Sequence, residues 1–232
     1  GGRVEACPAA PPCQPPLPAL RGSATLCGMI RTLITSIAAV SALTACATPR
    51  TAPAPQDQFF AALSAHCGRA YAGQMVSSDA ADADMAGRAM VMHVRQCSGT
   101  RIAIPFHIQR ADGSWDRSRT WLITRTATGL RLKHDHRHED GSMDVLTNYG
   151  GDTASAGSAG AQDFPVDAES IALFRANDRA VSVTNIWRVE VSGAGEPAPR
   201  YTYQLSRAGR LFRVTFDLST PVAPPPAPWG HE

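Results

Sequence analysis

Three imidazoles stand at alternate positions in residues 130–142, LRLKHDHRHEDGS: His134, His136 and His138. On a strand, residues two apart share one face. Their side chains then sit about 7 Å apart, near enough for two of them to meet on one ion. A third would join only through a bend or bulge beside the turn. Such a row offers three chemistries. It could hold a divalent transition metal through neutral ring nitrogens, act as metal-binding or general-base machinery of an enzyme, or supply polar contacts to a small apolar ligand. The plain structural alternative is half-buried rings near a rim, satisfied by water, Thr147 and the Tyr149 hydroxyl.

Which way the row points depends on the turn that follows it. Asp140-Gly141 predicts a two-residue hairpin loop that pairs Glu139 with Ser142, Arg137 with Asp144, His134 with Thr147 and Leu132 with Tyr149. One surface of that ribbon carries Leu130, Leu132 and the three histidines with Met143, Val145, Thr147 and Tyr149. The other carries Arg131, Lys133, Asp135, Arg137, Glu139, Asp144 and Asn148. Burying seven charged or amide side chains together would cost several kcal/mol for each unpaired charge. The charged surface is therefore expected to face water, with Arg137–Asp144 as a cross-strand pair and the histidines inward. A slip of one residue would reverse this.

The elements around the row read as strands. From about residue 89 the hydrophobic period becomes two, and AMVMHVRQC, RIAIPFHIQR, RTWLITRTAT, GLRLKHDHRHE, SMDVLTNYGG, AVSVTNIWRVEVS, RYTYQLSRAG and RLFRVTFDLS alternate with turn residues. This predicts a mainly β fold, an antiparallel meander curled into a small lipocalin-like barrel, with a β-sandwich as the alternative. An N-terminal helix is expected from Asp57 to a stop at Gly73, with Phe59, Leu63, Cys67 and Tyr71 on one face. A short inserted helix, DAESIALFR, is expected after a flexible loop at 150–162 and is capped by Asp167. In RIAIPFHIQR the apolar row turns His107 to the opposite face. Asn185 is the one polar residue on an inward row with Val181, Val183, Trp187, Val189 and Val191. That row describes a packed core or an apolar pocket with a few polar contacts.

Residues 29–46, MIRTLITSIAAVSALTAC, place Met29 and Arg31 before an apolar run from Leu33 to Leu43. This is a secretory-signal pattern, too short for a mature membrane span. The closing Leu43-Thr44-Ala45-Cys46 resembles the lipobox of bacterial lipoproteins, in which the cysteine is acylated. The resemblance implies a signal peptide at 29–45, lipid on Cys46 and a membrane partner through that lipid. The expected locality is the bacterial cell envelope, on the outer or inner membrane and facing the periplasm. Residues 1–28 then read as an unstructured upstream extension, 46–56 as the lipidated cysteine and a Pro/Ala tether, 57–220 as the globular domain and 221–232 as a Pro-rich tail. Without residues 1–45 the chain keeps 19 basic and 19 acidic residues. That balance, with no basic block, argues against a nucleic-acid partner. The two cysteines of the globular domain, Cys67 and Cys97, are expected to form a disulfide in an oxidising compartment.

RTWLITRTATGLRLKHDHRHEDGS, YGGDT and QDFPVDAES resemble a group of bacterial secreted proteins and lipoproteins to which no activity is assigned. The resemblance thus lends no catalytic residue. His134, His136 and Glu139 are also similar to the first metal-binding motif of cupins, but Glu139 comes one residue early and no second motif follows. No G-x-S-x-G, H-E-x-x-H or phosphate-binding glycine loop occurs. The expectation is a lipid-anchored envelope protein that binds a small apolar ligand or a metal ion through His134, His136 and His138, with Tyr149 and Asn185 as further contacts. A periplasmic enzyme and a structural envelope component are the competing classes.

Overall fold

A computed structural model describes residues 52–232; the signal-like segment, Cys46 and the first part of the tether lie outside the described residues. Eleven antiparallel strands form one nearly closed barrel-shaped sheet, as the period-two pattern predicts. One run of strands comprises β1 (Ala70–Met75), β2 (Met90–His93), β4 (Arg101–Gln109), β5 (Trp115–Arg125), β6 (Leu130–His136) and β7 (Tyr149–Asp152). The short β3 (Gln96–Cys97) pairs with β4 off this path. The second run is β8 (Ala161–Pro165), β9 (Ile186–Val191), β10 (Arg200–Arg207) and β11 (Arg210–Asp217), and β11 pairs with β1. Among the described residues no helix is long and apolar enough to cross a membrane.

The ladder is interrupted between β7 and β8, where the second helix, α2 (Ala168–Ala176), stitches the gap. The Ser170 hydroxyl, 1% exposed, accepts from the Gly150 N–H at 2.7 Å and donates to the Gly150 carbonyl at 3.1 Å. The Asp167 N–H donates to that carbonyl as well. A Cβ on Gly151 would collide with the Pro165 carbonyl, so only glycine permits so close an approach of the two edges. The cap is the one expected: the Asp167 side chain accepts from the Ser170 N–H.

The N-terminal helix is shorter than its pattern suggested. Helix α1 spans Pro55–Ser64, with Pro55 in its first turn. Asp57 makes no cap and pairs instead with Arg125. Gly68, at φ 79°, turns the chain so that Tyr71 and Gly73 belong to β1. Tyr71 stays buried because residues four apart on a helix and an inward strand position both satisfy its place in the pattern. Phe59, Phe60 and Leu63 of α1 are buried against the strand ends that carry Arg125, Leu130 and Val191, so α1 plugs that end of the barrel. The expected Cys67–Cys97 disulfide forms and ties the chain beyond α1 to β3.

The hairpin after the histidines departs from its expected register in two places. The His138 N–H bonds to the Ser142 carbonyl and the Gly141 N–H to His138, which makes a three-residue loop with Gly141 at φ 84°. The Asp140 side chain favours this loop by accepting from both the N–H and the hydroxyl of Ser142. Arg137 therefore faces Met143, one residue away from the expected pairing. Residues 144–148 then leave the ladder, with Asn148 at φ 57°, and His134 pairs with Tyr149 instead of Thr147. The second shift restores the original parity, so His134 and Tyr149 still share the inner face.

The outer surface of that ribbon is less open than expected. Lys133 pairs with Asp167 and Glu169 of α2 at 2.9 and 2.8 Å. Asp135, only 5% exposed, takes Arg137 at 3.1 Å and His231 at 2.6 Å, so Arg137 pairs with Asp135 and not with Asp144. The Pro-rich tail packs along the barrel wall: Trp229 is buried, its backbone N–H donates to the Arg117 carbonyl, and Arg110 lies over its ring. His107 does face outward from the apolar row of β4, yet it is fully buried and neither ring nitrogen has a partner. Strand β9 begins only at Ile186; Val181 lies in a 3-10 turn (Ala180–Ser182) and is exposed, and Asn185 precedes the strand.

Candidate functional site

Strand β6 delivers His134 and His136 to the end of the barrel opposite α1, and β7 places Tyr149 beside them. The His134 ring stacks on Tyr149 with centroids 4.6 Å apart. Its Nδ1–H donates to the Tyr149 carbonyl at 3.0 Å, which leaves Nε2 to accept from the Tyr203 hydroxyl at 2.7 Å. Both nitrogens are thus used, and one neutral tautomer is set by its partners. Burial holds this imidazole down to about 3, with His136 and Lys133 adding to the effect. His136 is held down to about 4, mainly by burial and then by Arg119, and its Nε2 lies 3.1 Å from the Tyr149 hydroxyl. Burial pushes the Tyr149 phenol up to about 12. At neutral pH the cluster is therefore uncharged.

The third histidine does not join it. His138 belongs to the turn, is exposed, and has its Nε2 3.7 Å from Asp144. With both nitrogens of His134 occupied and His138 outside, the three rings do not converge as a ligand set. Among the described residues no group of three His, Cys, Asp or Glu is placed to hold a metal ion. His66 is likewise accounted for by its 2.8 Å bond to the Tyr71 hydroxyl.

Two cavities meet at this cluster. The inner one, about 160 Å³, is walled by Phe106, Trp121, Tyr203, Leu205 and Phe212, with His134, His136 and Tyr149 on one side. Trp121 stacks on Tyr203 at 4.4 Å and on Phe106 at 4.8 Å, so the wall is aromatic and rigid. Asp82, 2% exposed, and Arg210 close its far side with a two-pronged ion pair. The outer cavity, about 370 Å³, shares His136, Tyr149, Tyr203 and Leu205 with the inner one. It is bounded further by Arg179, Ser182, Asn185 and Arg207.

The structure therefore brings His134, His136, Tyr149 and Asn185 to one cleft and leaves His138 out. Sequence reasoning missed the aromatic wall and the arginines. A signal existed for two of these: β5 and β10 each carry an inward apolar row that ends in arginine, Arg119 after Trp121 and Arg207 after Leu205. The arrangement offers an apolar chamber, a few oriented donors and neutral imidazoles. No family model, curated protein or solved structure matches this chain, so the cleft is read from its own residues.

Proposed function

We propose that the barrel is a binding domain for a small, largely apolar molecule, taken up at the end opposite α1. The observation that carries this reading is a pair of neighbouring cavities at that end. An aromatic chamber and a more polar vestibule share His136, Tyr149, Tyr203 and Leu205, while helix packs over the other end. A cavity of about 150 Å³ accepts a benzene-sized group, and the two cavities together fall within the usual range for small-molecule sites. Titration of the full chain with the neutral dye N-phenyl-1-naphthylamine tests it. Saturable fluorescence enhancement at one site is expected, and Leu205→Trp, which fills the shared wall, should remove it. No saturable signal in the parent chain would overturn the reading.

The lipobox-like run Leu43-Thr44-Ala45-Cys46 supports a lipid anchor that holds this domain in the bacterial envelope. Cys46→Ser is expected to abolish labelling by radioactive palmitate. Labelling that persists in the variant would refute the anchor.

A further inference from the structure

Resting on that binding reading, we propose that the ligand is an amphipathic anion: a carboxylate whose apolar part of about six carbons enters the aromatic chamber. Its headgroup lies against Arg207, Asn185 and Arg179 in the vestibule. The size follows from the inner cavity, about 160 Å³, which matches a benzene-sized group.

The charge follows from the vestibule. Asn185 is 4% exposed, and its Oδ1 accepts from Arg207 Nη1 at 3.1 Å. A guanidinium can only donate, so the amide oxygen must face Arg207 and the amide NH₂ must face elsewhere. Among the described residues that NH₂ meets no protein acceptor, although Asn185 lines the cavity. Arg207 and Arg179 form no ion pair among the described residues. The other two arginines of the cleft differ in this respect: Arg119 is held by Asp116, and Arg210 by Asp79 and Asp82. The one carboxylate lining the vestibule, Asp144, makes no ion pair with Arg179 or Arg207. Its Oδ1 accepts from the Leu146 N–H and its Oδ2 lies toward His138.

His136 and Tyr149, at the junction of the cavities, are neutral at pH 7 and offset nothing. Two guanidiniums without an ion pair among the described residues, and an amide donor, therefore line the cavity beside the apolar chamber. A carboxylate, with two accepting oxygens and a negative charge, complements that donor set better than an alcohol, whose single oxygen accepts without charge assistance.

Displacement of bound N-phenyl-1-naphthylamine from the full chain by hexanoate and by hexan-1-ol tests this. Hexanoate is expected to displace the dye at about tenfold lower concentration than hexan-1-ol, the size of one charge-assisted contact. Arg207→Gln should erase most of that preference, read as the ratio of the two displacing concentrations so that a change in dye affinity cancels, and Arg207→Lys should keep part of it. Equal potency of acid and alcohol, or a preference untouched in Arg207→Gln, would overturn the anion assignment. Displacement by neither compound would overturn the ligand class, while dye binding would still uphold the apolar site. Absence of dye binding would remove both readings together.

Discussion

His107→Phe isolates the energetics of a buried, unpartnered imidazole. The ring is fully buried on β4 with both nitrogens unsatisfied. Burial holds it down to about 4, with Asp116 acting in the opposite sense and Arg117 and His93 in the same sense. In the unfolded chain a histidine titrates near 6.5. The folded state therefore resists a proton that the unfolded state accepts. Its contribution to stability is intact above about pH 6.5 and is lost as pH falls toward 4. One proton held back over that interval amounts to about 3 kcal/mol, a sizeable part of the roughly 5–15 kcal/mol that holds a domain together. A phenyl ring also relieves the two orphaned nitrogens, worth about 1–3 kcal/mol at any pH. Urea unfolding at pH 7.5, 6, 5 and 4.2 should show the variant more stable than the parent, by a margin that grows by about 3 kcal/mol on acidification. His134 is also held low by burial, but it is present in both chains and cancels. His107→Leu serves as a second variant: it changes the packing but should show the same pH trend. A margin that stays constant with pH in both variants would refute the reasoning.

Other perturbations test the elements that shape the cleft. Ser170→Ala removes the hydroxyl that bonds both polar groups of Gly150 at the barrel seam, and should lower stability by about 1–3 kcal/mol in urea unfolding; a change below about 0.5 kcal/mol would show the seam held otherwise. Replacing Cys67 and Cys97 together by alanine opens a loop of 30 residues. It should cost about 3–4 kcal/mol in the chain-entropy model, read as a lowered unfolding midpoint, and an unchanged midpoint would contradict it. Asp82→Ala leaves Arg210 without its main partner beside the apolar chamber. Asp79 still pairs with Arg210 at 3.2 Å, so a loss of about 1–3 kcal/mol is expected, and a stability equal to the parent's would mean that Asp79 or solvent replaces Asp82.

Much of the barrel was legible because alternation reports burial on one face of a strand wherever the chain runs straight. The four long strands β4, β5, β10 and β11 fall where the period-two runs predicted, and α2 begins at its capping aspartate. The misreadings cluster where local chemistry competes with period. A pattern of residues four apart extended α1 through Tyr71, because an inward strand position satisfied the same spacing. A run from Ser142 to Asn148 looked like strand, but the Asp140 and Asp144 side chains bond nearby backbone N–H groups and favour turns over the ladder. Strand β7 ends, and β8 begins, inside the Gly/Ser/Ala-rich stretch 150–162, where Gly150 and Gly151 are needed for close approach and carry no alternation to read.

The sequence by itself determined the fold class, the disulfide pair and the inward direction of His134 and His136, because hydrophobic alternation is a local property and parity survives an even shift in register. It could not decide which side chains share the cleft. Tyr203 against His134, Arg207 against Asn185 and Asp82 against Arg210 are separated by 69, 22 and 128 positions in the chain. Pairing of β9 with β10 sets Arg207 against Asn185, and curling of the whole sheet brings Tyr203 of β10 to His134 of β6. The exclusion of His138 was local instead: the Asp140 side chain on Ser142 and Gly141 at positive φ favour a loop one residue longer, which turned that ring outward before the ladder recovered its phase.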